Sequence, residues 1–358
     1  MTGQDPARSA EKFLVFGAGA IGTYLGGSLA LHGFPVVFLA RPETASILKQ
    51  GGLRLKLEDQ EHRLYDPQIA LSIEQALAHG PFTAAIFALK SYDTKAAMAD
   101  LAPWSSELPP FLSLQNGVEN EQILSEVLCK EKVIAGTVTS AVGRLAPGDI
   151  VLERLRGIGV AGGRQISERL VDVFNAAGLN AHLYPNATAM KWSKLLTNLL
   201  ANATSAILNM TPAQILAHTA LFRIEIEQLR EALQVMAAQK IPVVDLPGTP
   251  VCLLAFIARV FPPSLSKPLL RKAVAGGRGS KMPSFHIDLY SGRGKSEVEY
   301  LNGAVAKAGE RLGIPTPVNQ ALTELLLALT RGELPLDTFT HGPERLLLEI
   351  QKKRSGGF

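Results

Sequence analysis

Apolar positions in the first half of the chain come in short unbroken runs. Residues 13–16 (FLVF), 36–39 (VVFL), 84–89 (AAIFAL), 111–114 (FLSL) and 133–138 (VIAGTV) carry almost no polar alternation. Such runs predict strands covered on both faces, as in a parallel sheet flanked by helices. Residues 53–57, 68–71, 150–153, 158–161 and 181–184 read as further strands. Helical spacing fills several gaps, over 21–32, 92–101 and 121–128. Alternation of this kind predicts an α/β doubly wound sheet. After Tyr184-Pro185 the texture changes to long helical patterns, over 186–209, 221–239, 296–312 and 318–330. Proline interrupts helix and strand alike, so the expected division is residues 1–185 and an all-helical part, 186–358. The last stretch, 351–358, is basic and then Gly-Gly, and reads as a frayed tail.

The run Gly17-Ala18-Gly19-Ala20-Ile21-Gly22 follows the first strand directly and opens a helix. Gly17 permits the tight turn, Gly19 lets backbone approach a pyrophosphate, and Gly22 lets helix and strand pack closely. The start of the helix, at Ala20, Ile21 and Gly22, offers N–H groups and positive dipole to phosphates. With a strand before, a helix after and a second strand about 20 residues on, this is a Rossmann-type dinucleotide site rather than a bare turn. The second strand ends in Leu39-Ala40-Arg41. Sites for NAD usually place a carboxylate there, whereas the planar guanidinium fork suits a 2′-phosphate. The expected cofactor is therefore NADP(H), the alternative being that Arg41 is merely exposed. Glu43 is close by but follows Pro42 and starts the next helix. Two other strand ends point to the same crevice: Lys90, for a phosphate or the substrate, and Asn116, in Gln115-Asn116-Gly117. Asn-Gly is also an ordinary turn signal, so Asn116 has both readings.

In the second half, Lys194, Asn198 and Asn202 recur every four residues and share one narrow helix face. Leu195, Leu199 and Ala206 flank it on one side; Leu196, Leu200 and Ile207 on the other. A helix apolar nearly all round is usually buried, and a buried lysine needs a partner or a purpose. Lys194 is the candidate proton donor, beside two amides that orient a substrate; the alternative is a stripe facing water. Ser284 follows Pro283 and opens a short helix, its hydroxyl available to a carboxylate. Ser296 with Glu299 reads as a capping box for a helix over 296–312. Glu297 sits in that first turn, where the dipole favours its charge without any catalytic task.

Composition narrows the field. Apolar residues make up 47% and charged residues 19%, enough for sizeable cores and too apolar for a disordered chain. A net charge of +4 is too mild and too dispersed for a nucleic-acid face. Two cysteines form no disulfide framework, which points to a reducing, cytoplasmic setting. Seven histidines without an HxxxH pair suggest no metal site. The polar stretch 1–12 does not read as a signal peptide, and the longest apolar stretch, 251–261, is too short for a bilayer and carries Arg259. Residues 246–287 contain no acid at all, and Gly276, Gly277 and Gly279 suggest mobility there. That segment reads either as a solvated or partner-facing surface or as a flexible cover adding positive potential near an anionic ligand.

Together the motifs resemble the ketopantoate reductase (2-dehydropantoate 2-reductase) family, in order from residue 13 to about residue 319. They are GAGAIG at 17–22, Arg41, LK at 89–90, QNG at 115–117, WSKLLTN at 192–198 and PSFHIDLYSGRGKSEVEYLNG at 283–303. The resemblance implies NADPH-dependent reduction of 2-dehydropantoate to pantoate, on the route to pantothenate and coenzyme A. It puts the proton-donating lysine at Lys194 and the substrate-anchoring glutamate at Glu297. It puts substrate amides at Asn198 and Asn202, the serine at Ser284 and a cofactor-side amide at Asn116. It also implies a helical second domain akin to that of 6-phosphogluconate dehydrogenase. Ser296 and Glu299 depart from the family's usual Thr and Asp, and 246–287 and the chain past 331 are longer than in compact members. A related 2-keto acid, an opine-type reduction, or an NADP(H)-binding sensor whose helical half docks a protein remain alternatives. A homodimer through the helical half is also left open.

Overall fold

In the computed structural model, residues 11–263, 267 and 281–355 are described. The first half runs β1 (Phe13–Phe16), α1 (Ala20–Leu31), β2 (Val36–Leu39), α2 (Pro42–Gly51), β3 (Leu53–Leu57), β4 (Gln60–Leu64), β5 (Gln68–Ala70), α3 (Ile73–Leu77), β6 (Ala84–Phe87) and α4 (Thr94–Leu101). It continues through β7 (Phe111–Ser113), α5 (Asn120–Leu128), β8 (Val133–Val138), β9 (Ala141–Ala146), β10 (Asp149–Arg154), β11 (Ile158–Ala161), α6 (Gln165–Ala176) and β12 (Ala181–Tyr184). Then come α7 (Ala187–Leu199), α8 (Ala203–Leu208), α9 (Pro212–Ala217), α10 (Thr219–Ala238), α11 (Val251–Val260), α12 (Ser284–Tyr290), α13 (Asn302–Leu312), α14 (Pro317–Thr330) and α15 (Pro343–Ser355).

Among the described residues, the main sheet has the order β12-β11-β8-β7-β6-β1-β2-β5. Pairing is parallel from β5 through β8, β11 runs antiparallel to β8, and β12 pairs parallel with β11. The chain enters at β1, steps out to β2 and β5, and returns to β6 on the other side of β1. That reversal is the topological switch point, where ligands bind outside the strand carboxyl ends. The four residues of β1 are all buried and alternate between two cores. Phe13 and Val15 pack with α1 and α6 through Leu25, Leu29, Leu170 and Phe174. Leu14 and Phe16 pack with α4 and α5 through Met98, Leu101, Leu124 and Leu128. Each such side chain contributes about 1.5–3 kcal/mol of transfer free energy.

Two expected strands join a different sheet. Residues 53–57 and 150–153 form β3 and β10, which pair with each other in a four-stranded sheet, β4-β3-β10-β9. Its apolar residues Leu53, Leu55, Ile150 and Leu152 share a core with α1. Helix α1 is thus covered on both sides, which explains its small residues: a methyl on Gly26 would meet the Phe38 ring at 2.7 Å, and one on Gly27 would meet Leu55 at 2.6 Å. Strands β4 (QEHRL) and β9 (AVGRLA) carry no strand signal in the sequence, because they lack apolar runs.

The helical half also departs from expectation. The pattern over 186–209 breaks into α7 and α8 around Ala201, whose φ of +51° is left-handed. For a residue with a β-carbon that conformation costs about 1–2 kcal/mol, so something must hold it. The pattern over 296–312 also divides, into a 3₁₀ turn (Glu297–Tyr300) and α13. The Ser296 hydroxyl caps by accepting from the Val298 N–H at 3.2 Å, not from the Glu299 N–H of a capping box. Glu299 instead sits 3.3 Å from Lys307. Residues 351–355 are helical, closing α15 rather than fraying, while 356–358 and the glycines at 276, 277 and 279 lie outside the described residues.

Contacts divide the chain into two compact units. The first holds the described residues up to Gln115, Glu119–Lys191 and Leu246–Thr249; the second holds Asn116–Val118, Trp192–Asp245 and the described residues from Pro250 onward. The excursion at Leu246–Thr249 is a small β-bridge whose Pro247 carbonyl accepts the Thr139 hydroxyl at 2.8 Å.

Candidate active site

In the first unit, the turn after β1 has the geometry its glycines predict. Gly17 has φ +85° and donates its N–H to Leu39 O at 3.0 Å. A methyl on Gly22 would lie 2.0 Å from the Gly17 carbonyl oxygen, so helix and turn approach as closely as glycine allows. Gly19 caps α1 in an extended conformation, and a methyl built on it meets nothing within 4 Å. No side chain caps this helix start and no acidic residue lies in its first turn. Open space before Gly19, the N–H groups of Ala20, Ile21 and Gly22, and a positive helix end together fit a pyrophosphate.

Arg41 caps α2 after β2; its side chain is 82% exposed and its guanidinium lies 4.0 Å from the Asp93 carboxylate. A long, loosely held cation at this strand end is free to grip a phosphate. Lys90 follows β6, half-buried, at the start of the 3₁₀ turn Ser91–Asp93. The Gln115 side-chain amide donates to Leu89 O at 3.1 Å and to the Thr94 hydroxyl at 2.7 Å, tying the ends of β6 and β7 together. These residues fit a dinucleotide cofactor.

The buried lysine of α7 is Lys191, not Lys194. Lys191 is 5% exposed; its ammonium donates to Gln115 O at 2.6 Å and Gly136 O at 3.3 Å and pairs with Glu121 at 2.9 Å. Lys194 is half-buried, so the expected burial falls on a residue one turn earlier. Sequence reasoning missed this, although Lys191, Leu195, Asn198 and Asn202 follow core-facing i, i+4, i+7, i+11 spacing. Lys191 holds the residue from which Asn116 departs.

In the second unit, four predicted residues form one hydrogen-bonded run. The Asn198 amide donates to Asn116 Oδ1 at 3.0 Å. The Asn202 amide donates to Asn198 O at 3.0 Å and reaches Ser284 Oγ at 3.5 Å, while its Oδ1 accepts the Phe285 N–H at 3.1 Å. Asn198 and Asn202 are buried and Ser284 is exposed. Lys194 lies on α7 one turn before Asn198. Glu297 is 2% exposed, on a separate element, at the start of its 3₁₀ turn. Helix α12 is also tied to the far end of α8: His286 Nε2 lies 2.7 Å from Asn209 Oδ1 and the ring stacks on Tyr290 at 4.3 Å. Burial pushes the His286 pKa down.

The arrangement offers an anion cradle in one unit and amides, a hydroxyl, a cation and a carboxylate in the other. The family profile described as "Ketopantoate reductase PanE/ApbA" matches residues 13–162, and its C-terminal counterpart matches residues 186–330. The chain belongs to the ketopantoate reductase family. A 2-dehydropantoate 2-reductase of Archaeoglobus fulgidus is 26% identical, covering 90% of this chain and 99% of its own. One from Pyrococcus abyssi is 25% identical, covering 91% and 99%. The crystal structure of a PanE/ApbA family ketopantoate reductase from Ralstonia eutropha JMP134 superposes with a TM-score of 0.75 at 26% identity, over 90% of this chain and 99% of that one. A D-mandelate dehydrogenase solved with NADH and anilino(oxo)acetate shares the fold, with a TM-score of 0.73 at 22% identity over 90% and 99% of the two chains. The mixed sheet followed by a helical half is thus the architecture of this family. Among the described residues, no helix is long and apolar enough to cross a membrane.

Proposed function

We propose that this member of the family is a cytoplasmic NADPH-dependent 2-dehydropantoate 2-reductase, forming pantoate for pantothenate and coenzyme A synthesis. The names of full-length relatives support the reaction, and the exposed Arg41 fork at the end of β2 supports the phosphorylated cofactor. The observation that carries the reading is the run Asn116–Asn198–Asn202–Ser284, one helical turn from Lys194. It gathers donors and acceptors suited to a small molecule with carboxylate, ketone and hydroxyl groups.

When bound, the nicotinamide supplies a hydride to the ketone carbon. The backbone N–H groups at Ala20, Ile21 and Gly22 bind the pyrophosphate, while Lys90 and Asn116 hold the cofactor further along. Lys194 stabilises the negative charge that grows on the ketone oxygen and gives that oxygen its proton, so the C=O bond becomes CH–OH. Glu297 accepts a hydrogen bond from a substrate hydroxyl and orients the Lys194 ammonium. Ser284 donates to the carboxylate, and Asn198 and Asn202 set the substrate's angle.

The deciding experiment follows NADPH absorbance on adding 2-dehydropantoate, other branched 2-keto acids or pyruvate, with NADH in parallel. Turnover on 2-dehydropantoate at least tenfold more efficient than on the others, and with NADPH over NADH, supports the reading. Preference for another keto acid replaces the substrate; binding of NADPH without turnover on any of them leaves a sensor.

A further inference from the structure

The break between α7 and α8 places Asn202, and one buried acid outside the proposed active site holds that break. At Ala201 the helix ladder stops, and the backbone turns left-handed at a residue with a side chain. An interrupted helix leaves N–H and C=O groups that need new partners. Glu225, on α10 and fully buried, takes one of them: its Oε2 accepts the Ala201 N–H at 2.6 Å. The same oxygen accepts the Gln228 amide at 2.5 Å, and Oε1 accepts the Thr204 hydroxyl at 2.7 Å. Gln228, one turn further along α10, also donates to Leu199 O at 3.3 Å, the last residue of α7. Glu225 and Gln228 therefore grip both sides of the interruption, one through the Ala201 N–H and one through the Leu199 carbonyl, which also accepts the Asn202 N–H at 3.3 Å.

The consequence reaches the site through Asn202. In an unbroken helix the Asn202 side chain would continue the stripe of Lys194 and Asn198. In the structure Asn202 is instead the residue that starts α8, and its amide bridges Asn198 O, Ser284 Oγ and the Phe285 N–H. The amide is buried, so its orientation depends on where the break sets its backbone.

We infer that Glu225 is a positioning residue for substrate recognition: by holding the left-handed Ala201 it fixes the Asn198–Asn202–Ser284 run that receives the 2-keto acid. This rests on the functional reading above. The role differs from general core support, because the carboxylate touches the break itself. Glu225→Gln keeps size and shape but turns one acceptor oxygen into a donor facing Ala201 N–H, Gln228 or Thr204. Thr204→Val removes one donor and is the milder variant.

The test uses the full-length protein and has two arms. In the first, Glu225→Gln raises KM for 2-dehydropantoate about tenfold while NADPH Kd by fluorescence stays within twofold; Thr204→Val gives a two- to threefold rise. Adding Ala201→Gly, which adopts positive φ freely, brings KM of the Glu225→Gln protein back to within threefold of wild type. In the second arm, hydrogen exchange in the peptide spanning 199–208 speeds up in Glu225→Gln and recovers in the double variant. A lower active fraction with unchanged KM, or KM raised without rescue by Ala201→Gly, overturns the proposal in favour of a merely structural acid. Unchanged exchange at 199–208 overturns it without touching the functional reading. A wild-type protein inactive on every 2-keto acid overturns that reading and the substrate role with it.

Discussion

The sheet unit offers a ligand mainly backbone groups, the helical unit mainly side chains. Around Gly17–Gly22 the useful groups are N–H vectors and empty space, both produced by a six-residue stretch whose conformation glycine dictates locally. The Asn116–Asn198–Asn202–Ser284 run draws on three segments far apart in sequence, and its geometry depends on a helix break held by a fourth. The difference concerns what can go wrong. A backbone cradle fails sterically, when a methyl enters it. A side-chain cluster fails by displacement, when a remote support is lost.

Several measurements would break or sharpen this contrast. The largest expected effect is at Lys194: replacement by Ala lowers kcat about 10²- to 10⁴-fold, with NADPH Kd unchanged. Wild-type turnover at saturation would remove Lys194 from the chemistry and leave the helical unit with a binding role only. Next is Lys191→Met, which strips the ammonium from two carbonyls and Glu121. Loss of a buried ion-pair partner costs roughly 2–3 kcal/mol here, on the low side because Glu121 reaches water. Urea denaturation checks it; an unchanged midpoint means that this lysine does not anchor the end of β7. Third, Arg41→Ala weakens NADPH by about 10- to 100-fold, the value of one or two charge-assisted hydrogen bonds. Binding of NADH hardly changes, and equal losses for both cofactors would mean that Arg41 does not read the 2′-phosphate.

The smallest effect is a pH dependence in the helical unit. Burial holds the folded His286 pKa below its ordinary value, so the folded state binds fewer protons than the unfolded chain. The stabilisation is therefore present above the unfolded value and lost as pH falls from there through the folded pKa. Between pH 7.5 and 5.5, Tm of wild type should fall more than that of His286→Gln. Parallel Tm curves would show that the contact with Asn209 carries no proton linkage.

Much of the sheet unit is legible in the sequence, because its signals are local. Runs such as FLVF and VIAGTV span whole strands, and the glycine spacing carries its own geometry. What escaped was where strands pair: residues 53–57 and 150–153 look like main-sheet strands, and only the packing of Leu55 and Ile150 over α1 assigns them elsewhere. In the helical unit, periodicity identified the polar stripe but extended it through Ala201, since no glycine or proline marks the break. Glu225 carried a faint signal, an acid on the core stripe with Leu221 and Leu229, that asks for a partner without saying which.

By itself the chain of residues determined the alternation of elements, the anion cradle after β1, the cation at the end of β2, and the set of polar side chains available to a substrate. These follow from covalent geometry and from neighbours within a few positions. Tertiary structure alone decided which lysine of α7 is buried, where that helix ends, and how Asn202 points. Each depends on hydrogen bonds between residues 24 to 83 positions apart, such as Glu225 to Ala201, Lys191 to Gln115 and Asn202 to Phe285. Their formation is governed by the shape of the folded core, which no local pattern encodes.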